Sequence, residues 1–289
     1  MNGILLIDKP KGKTSHDMVY FTRRLTGIKK VGHTGTLDPM ATGVLPICIG
    51  KATKVCDMLT VTDKCYIAKI KLGVTTDTQD VTGNILTQSD EKVTAEEFEN
   101  AAKSFIGEIE QIPPMFSAIK KDGKKLYELA RKGITVEREP RKITIHNIEI
   151  LDTDLENSFA DIKVYCSKGT YIRTLCEDIG NMLGVGGALA ELRRVNSGGF
   201  DICDCHTTEE LQNADDISQF ILPVDSVFSE YKKIVLSEEL AEKLKNGIRI
   251  RYKDLDCNKK YRIYSYDGEF LAVSDYNGIE LVTEKTFWS

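Results

Sequence analysis

Between residues 32 and 45 the chain reads Gly32-His33-Thr34-Gly35-Thr36-Leu37-Asp38-Pro39-Met40-Ala41-Thr42-Gly43-Val44-Leu45. No other stretch constrains the fold as strongly. Gly32, Gly35, Gly43 and Pro39 lie too close together for a helix. Pro39 also biases Asp38 toward extended backbone. The apolar run that follows, Val44 to Ile49, reads as a buried strand. The chain must therefore hold a single carboxylate in a glycine-rich loop just before a buried strand.

The flanking segments mix strands and helices. Gly3 to Asp8 reads as a short strand ended by Lys9-Pro10, because Pro10 cannot continue a ladder. Thr14 or Ser15 can cap a helix to about Thr26, with Met18, Val19, Phe21 and Leu25 as its apolar positions and Gly27 as its stop. Residues 64–72 read as a strand, with Cys65, Ile67 and Ile70 as apolar positions. Thr94 with Glu97 opens a helix in the capping-box pattern. Residues 142–151 and 159–166 read as an antiparallel pair. Thr170 is placed to cap a helix to about Leu183, with Ile172, Leu175, Ile179, Met182 and Leu183 on its apolar face. Arg193 to Phe200 reads as strand and turn. Residues 207–230 read as a surface helix and linker, followed by a short helix over 236–244 and a hairpin about Asp267-Gly268. The irregular order predicts an α+β chain: a mixed or antiparallel sheet domain over 1–230 and a small mostly-β domain over 231–289.

Composition excludes several classes. At 41% hydrophobic and 29% charged residues the chain is neither disordered nor fibrous. No apolar run approaches the roughly 18 residues of a membrane span. The N-terminal apolar stretch meets Asp8 too early for a signal peptide, so the expected location is cytoplasmic, without a membrane. The eight cysteines include no C-x-x-C pair, and Cys203, Cys205 and His206 lack further ligands, so no metal is expected. Gly12-Lys13-Thr14-Ser15 looks like the end of a P-loop, but position 7 is Ile where that motif needs Gly. A nucleotide-hydrolysing loop is rejected.

The net charge of −5 conceals segregation: residues 1–54 carry +6, 111–142 carry +5, 243–262 carry +6, and 201–230 carry −8. Basic segments that converge in space make a phosphate-binding surface in spite of an acidic total. Charge alone does not separate this from lysines that merely solvate the exterior. Nor do local patterns decide Asp38, which suits a turn as well as catalysis, or Tyr66, since tyrosines in strands usually belong to a core.

Several motifs occurring in order point further. They are Leu6-Ile7-Asp8-Lys9-Pro10, the Gly32–Leu45 segment, Tyr66 in a strand, and Leu72-Gly73-Val74-Thr75-Thr76-Asp77-Thr78-Gln79-Asp80. Pro113-Pro114-Met115-Phe116-Ser117-Ala118, Lys168-Gly169-Thr170-Tyr171-Ile172-Arg173-Thr174-Leu175 and Glu191-Leu192-Arg193-Arg194 follow. Together, over about residues 3–225, they resemble the TruB family of tRNA pseudouridine-55 synthases. The resemblance implies a pseudouridine synthase catalytic domain with a C-terminal PUA-like RNA-binding domain. It implies isomerisation of uridine 55 in the T-loop of tRNA without a cofactor or metal.

By the same resemblance Asp38 is the essential aspartate, and Arg173 is its cationic partner. Tyr66 stacks on the uracil and aids proton transfer. Tyr171 and Leu192 wall the pocket, His33 fills the space left by a flipped base, and Asp80 contacts flanking RNA. Lys120, Lys121, Lys124 and Lys125 belong to a flap over 111–142 with Asp122-Gly123 at its tip. The cations Lys243, Lys245, Arg249, Arg251, Lys259, Lys260 and Arg262 are expected to reach the acceptor stem. No obligatory protein partner is expected. The alternatives are an RNA-binding or tRNA-folding protein with secondary catalysis, disfavoured by intact Asp38, Tyr66 and Arg173, and the guide-RNA-dependent eukaryotic and archaeal relative, disfavoured by a C-terminus with no lysine-rich tail.

Overall fold

The computed structural model describes every residue except Asp122 and Ser289; the expected flap tip at Asp122 therefore lies outside the described residues. Strands β1 (Gly3–Lys9), β2 (Val31–His33), β3 (Thr42–Ile49), β4 (Lys64–Leu72), β5 (Gly107–Gln111), β6 (Arg141–Asp154), β7 (Phe159–Cys166), β8 (Gly187–Ser197) and β9 (Ile221–Leu222) join one sheet in the order β9-β1-β3-β8-β4-β7-β6-β5. β2 is paired alongside β3. Every neighbouring pair along that path is antiparallel except β3 and β8, which run parallel where Thr42 and Gly43 face Arg193 and Arg194. Consecutive segments thus do not lie side by side. The strand after the glycine-rich loop is paired with one from about 150 residues later in the chain.

Helices α1 (Ser15–Thr26), α2 (Ala95–Lys103) and α3 (Ile172–Met182) pack on one face. α1 starts at Thr14, whose hydroxyl and the Asp17 carboxylate form a capping box, and ends at Gly27 in the left-handed region at φ 71°. α2 repeats the device with Thr94 and Glu97. α3 does not follow its expectation. Its N-cap is Tyr171 with no side-chain cap, because the Thr170 hydroxyl donates backward to the Ser167 carbonyl. Met182, expected on the apolar face, is exposed. In β4 the buried face runs through Tyr66, Ala68, Ile70 and Leu72, so Ile67, expected among the apolar positions, stands on the other face.

Residues 207–230 are more than a linker. They form the short helix Thr208–Gln212 and β9, which pairs with β1 and closes that edge of the sheet. Beyond them lies a five-stranded sheet made of β10 (Lys232–Val235), β11 (Ile250–Arg251), β12 (Lys259–Tyr264), β13 (Phe270–Tyr276) and β14 (Glu280–Thr286), with α4 (Glu238–Lys245). It has a core of its own around Leu236, Tyr261, Ile263 and Leu281. Val273 and Phe287 also pack with Ile4, Leu6 and Cys48 on the second face of β1 and β3, so the two sheets share an apolar seam. Among the described residues no helix is long and apolar enough to cross a membrane.

Candidate functional site

The Asp38 loop is held from several sides. Leu37 N–H donates to Ser15 Oγ at 2.8 Å, at the first residue of α1. Ala41 N–H donates to the Asp38 carbonyl at 3.0 Å, which makes Asp38 to Ala41 a tight turn with Pro39 at its second position. Gly12 N–H donates to the Pro39 carbonyl at 2.7 Å. The segment that resembled a broken phosphate loop therefore serves as the wall against which the Asp38 turn rests. Where the loop enters β3, Gly43 has φ 103°, and a Cβ there would meet the Arg194 carbonyl oxygen at 2.1 Å. Only glycine allows this crossing.

Asp38 and Arg173 meet across the chain. Arg173 Nε lies 2.9 Å from Asp38 Oδ2, with Arg173 buried and the Asp38 side chain about one-third exposed at 36%. The guanidinium also donates to the Thr78 carbonyl at 2.9 Å and the Phe116 carbonyl at 2.7 Å. An arginine near the positive end of a helix is locally disfavoured; two carbonyls and a carboxylate offset that here. The carboxylate keeps an open side, which a reacting group requires.

Tyr66 and Arg194 are cross-strand partners on β4 and β8. Burial pushes the Tyr66 phenol above its ordinary range, with the Arg194 charge opposing, so it is protonated at neutral pH. Leu192, two residues before Arg194, is buried. It lines a cavity of about 250 Å³ together with Met40 and Thr42, but Asp38, Tyr66 and Arg173 do not line it. Tyr171 is half-buried and its backbone is clamped on both sides by Gln111, whose Oε1 accepts from Tyr171 N–H at 2.7 Å and whose Nε2 donates to the Tyr171 carbonyl at 3.0 Å. His33 is half-buried at the end of β2, with Nδ1 accepting from Gly35 N–H at 3.3 Å; burial, then the charge of Arg194, holds its imidazole below the usual value.

Asp80, expected to contact flanking RNA, lies beside Arg173. It is buried, its carboxylate accepts from Thr78 and Thr82, and it stands 3.9 Å from Arg173. Its carboxylate therefore faces the same guanidinium that holds Asp38. Lys120, Lys121, Lys124 and Lys125 form a two-stranded hairpin whose next residues make the short helix Leu126–Ala130. Among the described residues none of these four lysines has a carboxylate within ion-pair distance; Lys121 donates to the Glu137 carbonyl and Lys125 sits over the Tyr127 ring. The C-terminal cations behave differently: Lys243, Lys245, Arg249, Arg251 and Lys260 each face a glutamate, and Arg262 donates to the Tyr231 and Ser229 carbonyls.

Sequence reasoning missed two buried cations beside the loop, Lys9 and Arg194. Lys9 Nζ donates to the carbonyls of Lys13 at 2.6 Å, Pro10 at 3.0 Å and Pro39 at 3.5 Å. Burial brings its ammonium down to about 8, with the Asp38 charge opposing. For Lys9 the available signal was a lysine closing a strand that is apolar from Ile4 to Ile7.

This architecture belongs to the class of pseudouridine synthases. A solved structure named "Crystal Structure of a Cbf5-Nop10-Gar1 Complex" superposes with a TM-score of 0.72 at 25% identity, over 99% of this chain and 85% of that one. A family profile described as TruB family pseudouridylate synthase (N terminal domain) matches residues 23–172, and one described as tRNA pseudouridylate synthase B C-terminal domain matches 173–229. The chain belongs to the TruB family of pseudouridylate synthases. Its relatives named tRNA pseudouridine synthase B include one from Clostridium tetani, 49% identical over 92% of this chain and 93% of that protein. The one from Clostridium novyi is 48% identical over 99% of each, and the one from Neisseria meningitidis 42% over 96% and 90%. Residues 173–229 are no separate globule here, since they supply β8 at the centre of the main sheet.

Proposed function

We propose that this chain isomerises uridine to pseudouridine at position 55 in the T-loop of tRNA, as a cytoplasmic enzyme with no obligatory protein partner. The observation that carries the reading is the Asp38 carboxylate held at 2.9 Å by a buried arginine while one-third of it stays open. Attack on the base, or proton abstraction at the sugar, requires a carboxylate with a free oxygen, and a fixed cation orients it without covering its reactive side. The bidentate carbonyl anchoring of Arg173 fixes the direction in which Asp38 points.

In this reading Tyr66 stacks against the detached uracil and its protonated hydroxyl assists a late proton transfer. Tyr171 and Leu192 wall the base. A T-loop nucleotide must leave its stack before chemistry, at a cost of a few kcal/mol, and His33 occupies the vacated place. The neutral imidazole suits that task, because it enters a base stack with little desolvation cost. Residues 111–142 close over the T-arm through the flap lysines. Residues 1–230 form the catalytic domain and 231–289 the RNA-binding domain that reaches the acceptor stem. Full-length relatives named for tRNA support a tRNA substrate over a guide-RNA assembly.

Incubation with an unmodified tRNA transcript, followed by carbodiimide mapping, tests the reaction and its position. The expected outcome is one new pseudouridine, at T-loop position 55. Asp38→Asn keeps the shape and removes the charge. It should reduce product to background while tRNA affinity changes less than about tenfold, or roughly 1.4 kcal/mol. Substantial turnover by this variant would remove Asp38 from the chemistry.

A further inference from the structure

Arg194 is among the largest fully buried side chains, only 1% exposed, and its hydrogen bonds go to backbone carbonyls. Nε donates to the Val44 carbonyl at 2.7 Å, just after the glycine-rich loop. Nη2 reaches the Gly35 carbonyl at 3.4 Å, within that loop, and the Arg194 backbone presses against Gly43. The antiparallel register sets Arg194 directly opposite Tyr66, so both side chains leave the same face of the sheet. The Arg194 charge opposes the upward shift that burial imposes on the phenol. One side chain therefore binds both ends of the Asp38 loop and shares a sheet face with the tyrosine opposite it.

A guanidinium has five N–H donors and no acceptor. Whatever it offers Tyr66, the phenol oxygen can only accept. The phenol's own hydrogen is then turned away from Arg194 and left to donate elsewhere. Ordinary scaffolding of a loop requires no such charge: carbonyls are satisfied as well by neutral donors, and an unpaired buried cation is costly to desolvate. We propose that Arg194 is a positioning residue that orients the Tyr66 hydroxyl as a proton donor toward the reacting base and ties its position to that of the Asp38 loop. This rests on the role given to Tyr66 in the proposed reaction.

The test uses full-length protein labelled with 13Cζ-tyrosine. The resonance missing in Tyr66→Phe assigns Tyr66. In Arg194→Lys, which keeps the charge and loses the planar fork, that resonance should shift while those of C-terminal tyrosines such as Tyr261 stay. The single-turnover rate of pseudouridine formation should fall at least tenfold, with the Kd for tRNA within twofold of wild type. Arg194→Gln, which keeps neutral donors only, should behave as Lys or worse in both readouts. Should one of the two variants unfold, shown by thermal melting, the other decides. An unmoved Tyr66 resonance beside a slowed reaction makes Arg194 plain scaffolding and overturns the inference, and so does a shifted resonance beside an unchanged rate. If wild type forms no pseudouridine, the functional reading fails, and an unmoved Tyr66 resonance would then refute the Arg194–Tyr66 coupling on its own.

Discussion

The flap hairpin and the C-terminal sheet carry almost equal excess charge in the sequence, +5 over 111–142 and +6 over 243–262. The fold treats them in opposite ways. In the flap, Lys120, Lys121, Lys124 and Lys125 project from a hairpin with no carboxylate at ion-pair distance among the described residues. In the C-terminal sheet, β14 brings Glu280 against Arg249 and Arg251, and Glu284 against Lys260, while Glu269 meets Lys245. Those acids lie outside the basic stretch in sequence and next to it in space. A count of charge along a chain becomes a field only where the neighbours in the fold leave it unneutralised.

The largest effect should come from the flap. Replacing Lys120, Lys121 and Lys124 together by Gln removes three unpaired cations. Affinity for whole tRNA should fall by more than tenfold near physiological salt, and the slope of log affinity against log salt should flatten by about 0.9 for each phosphate that is no longer neutralised. Titrations of wild type and variant across a salt series check both numbers. An unchanged slope would mean that these lysines touch no phosphate and that the contrast with the C-terminal sheet is idle.

A smaller effect is expected on the other side. Arg249→Gln with Arg251→Gln leaves Glu280 without either partner but removes little free positive field. tRNA affinity should change by less than about threefold, and the salt slope by less than about 0.9, the value of a single phosphate. A loss as large as the flap's would show that tRNA displaces Glu280 and takes both arginines as its contact to the acceptor stem. Deleting 231–289 is the poorer experiment, because it uncovers Ile4, Leu6 and Cys48, which pack against Val273 and Phe287.

The smallest effect concerns a third condition of a cation, buried on carbonyls alone. Lys9 has its ammonium brought down to about 8 by burial, against about 10.4 in an unfolded chain. Between those values the unfolded state binds more protons, so unfolding free energy rises with pH there; below about 8 the burial penalty is fully present. Wild type should therefore gain stability relative to Lys9→Met as pH climbs from 8 toward 10. Denaturant midpoints of both proteins across that range measure it, and parallel curves would show that the Lys9 ammonium is not desolvated.

Signals confined to a turn or two of chain were legible. Thr14 with Asp17, Thr94 with Glu97, Gly27, and the Asp267-Gly268 hairpin all lie where their local chemistry predicts, because a cap or a tight turn is completed within four residues. Thr170 shows the limit of that reasoning. Its hydroxyl had two backbone groups in reach and took the Ser167 carbonyl behind it, not the helix ahead. Met182 had helical spacing and still faces solvent, while Ile179 and Gly180 in the same turn carry the packing against β8. Residues 207–230 gave no strand signal, because Ile221 and Leu222 become a strand only by pairing with Ile4 and Leu5 at the other end of the chain.

By itself the sequence determined the glycine-rich loop, the lone carboxylate within it, the strand that follows, and the α+β mixture of elements. These rest on backbone freedom and hydrophobic period, both local properties. Only the tertiary structure decided the geometry by which Arg173 holds Asp38, that Asp80 turns inward, that Arg194 lies opposite Tyr66, and that Lys243, Lys245, Arg249, Arg251 and Lys260 face glutamates. Each of these joins residues far apart in the chain, and an ion pair or a buried cation is set by distance and desolvation in space, which no spacing along the sequence encodes.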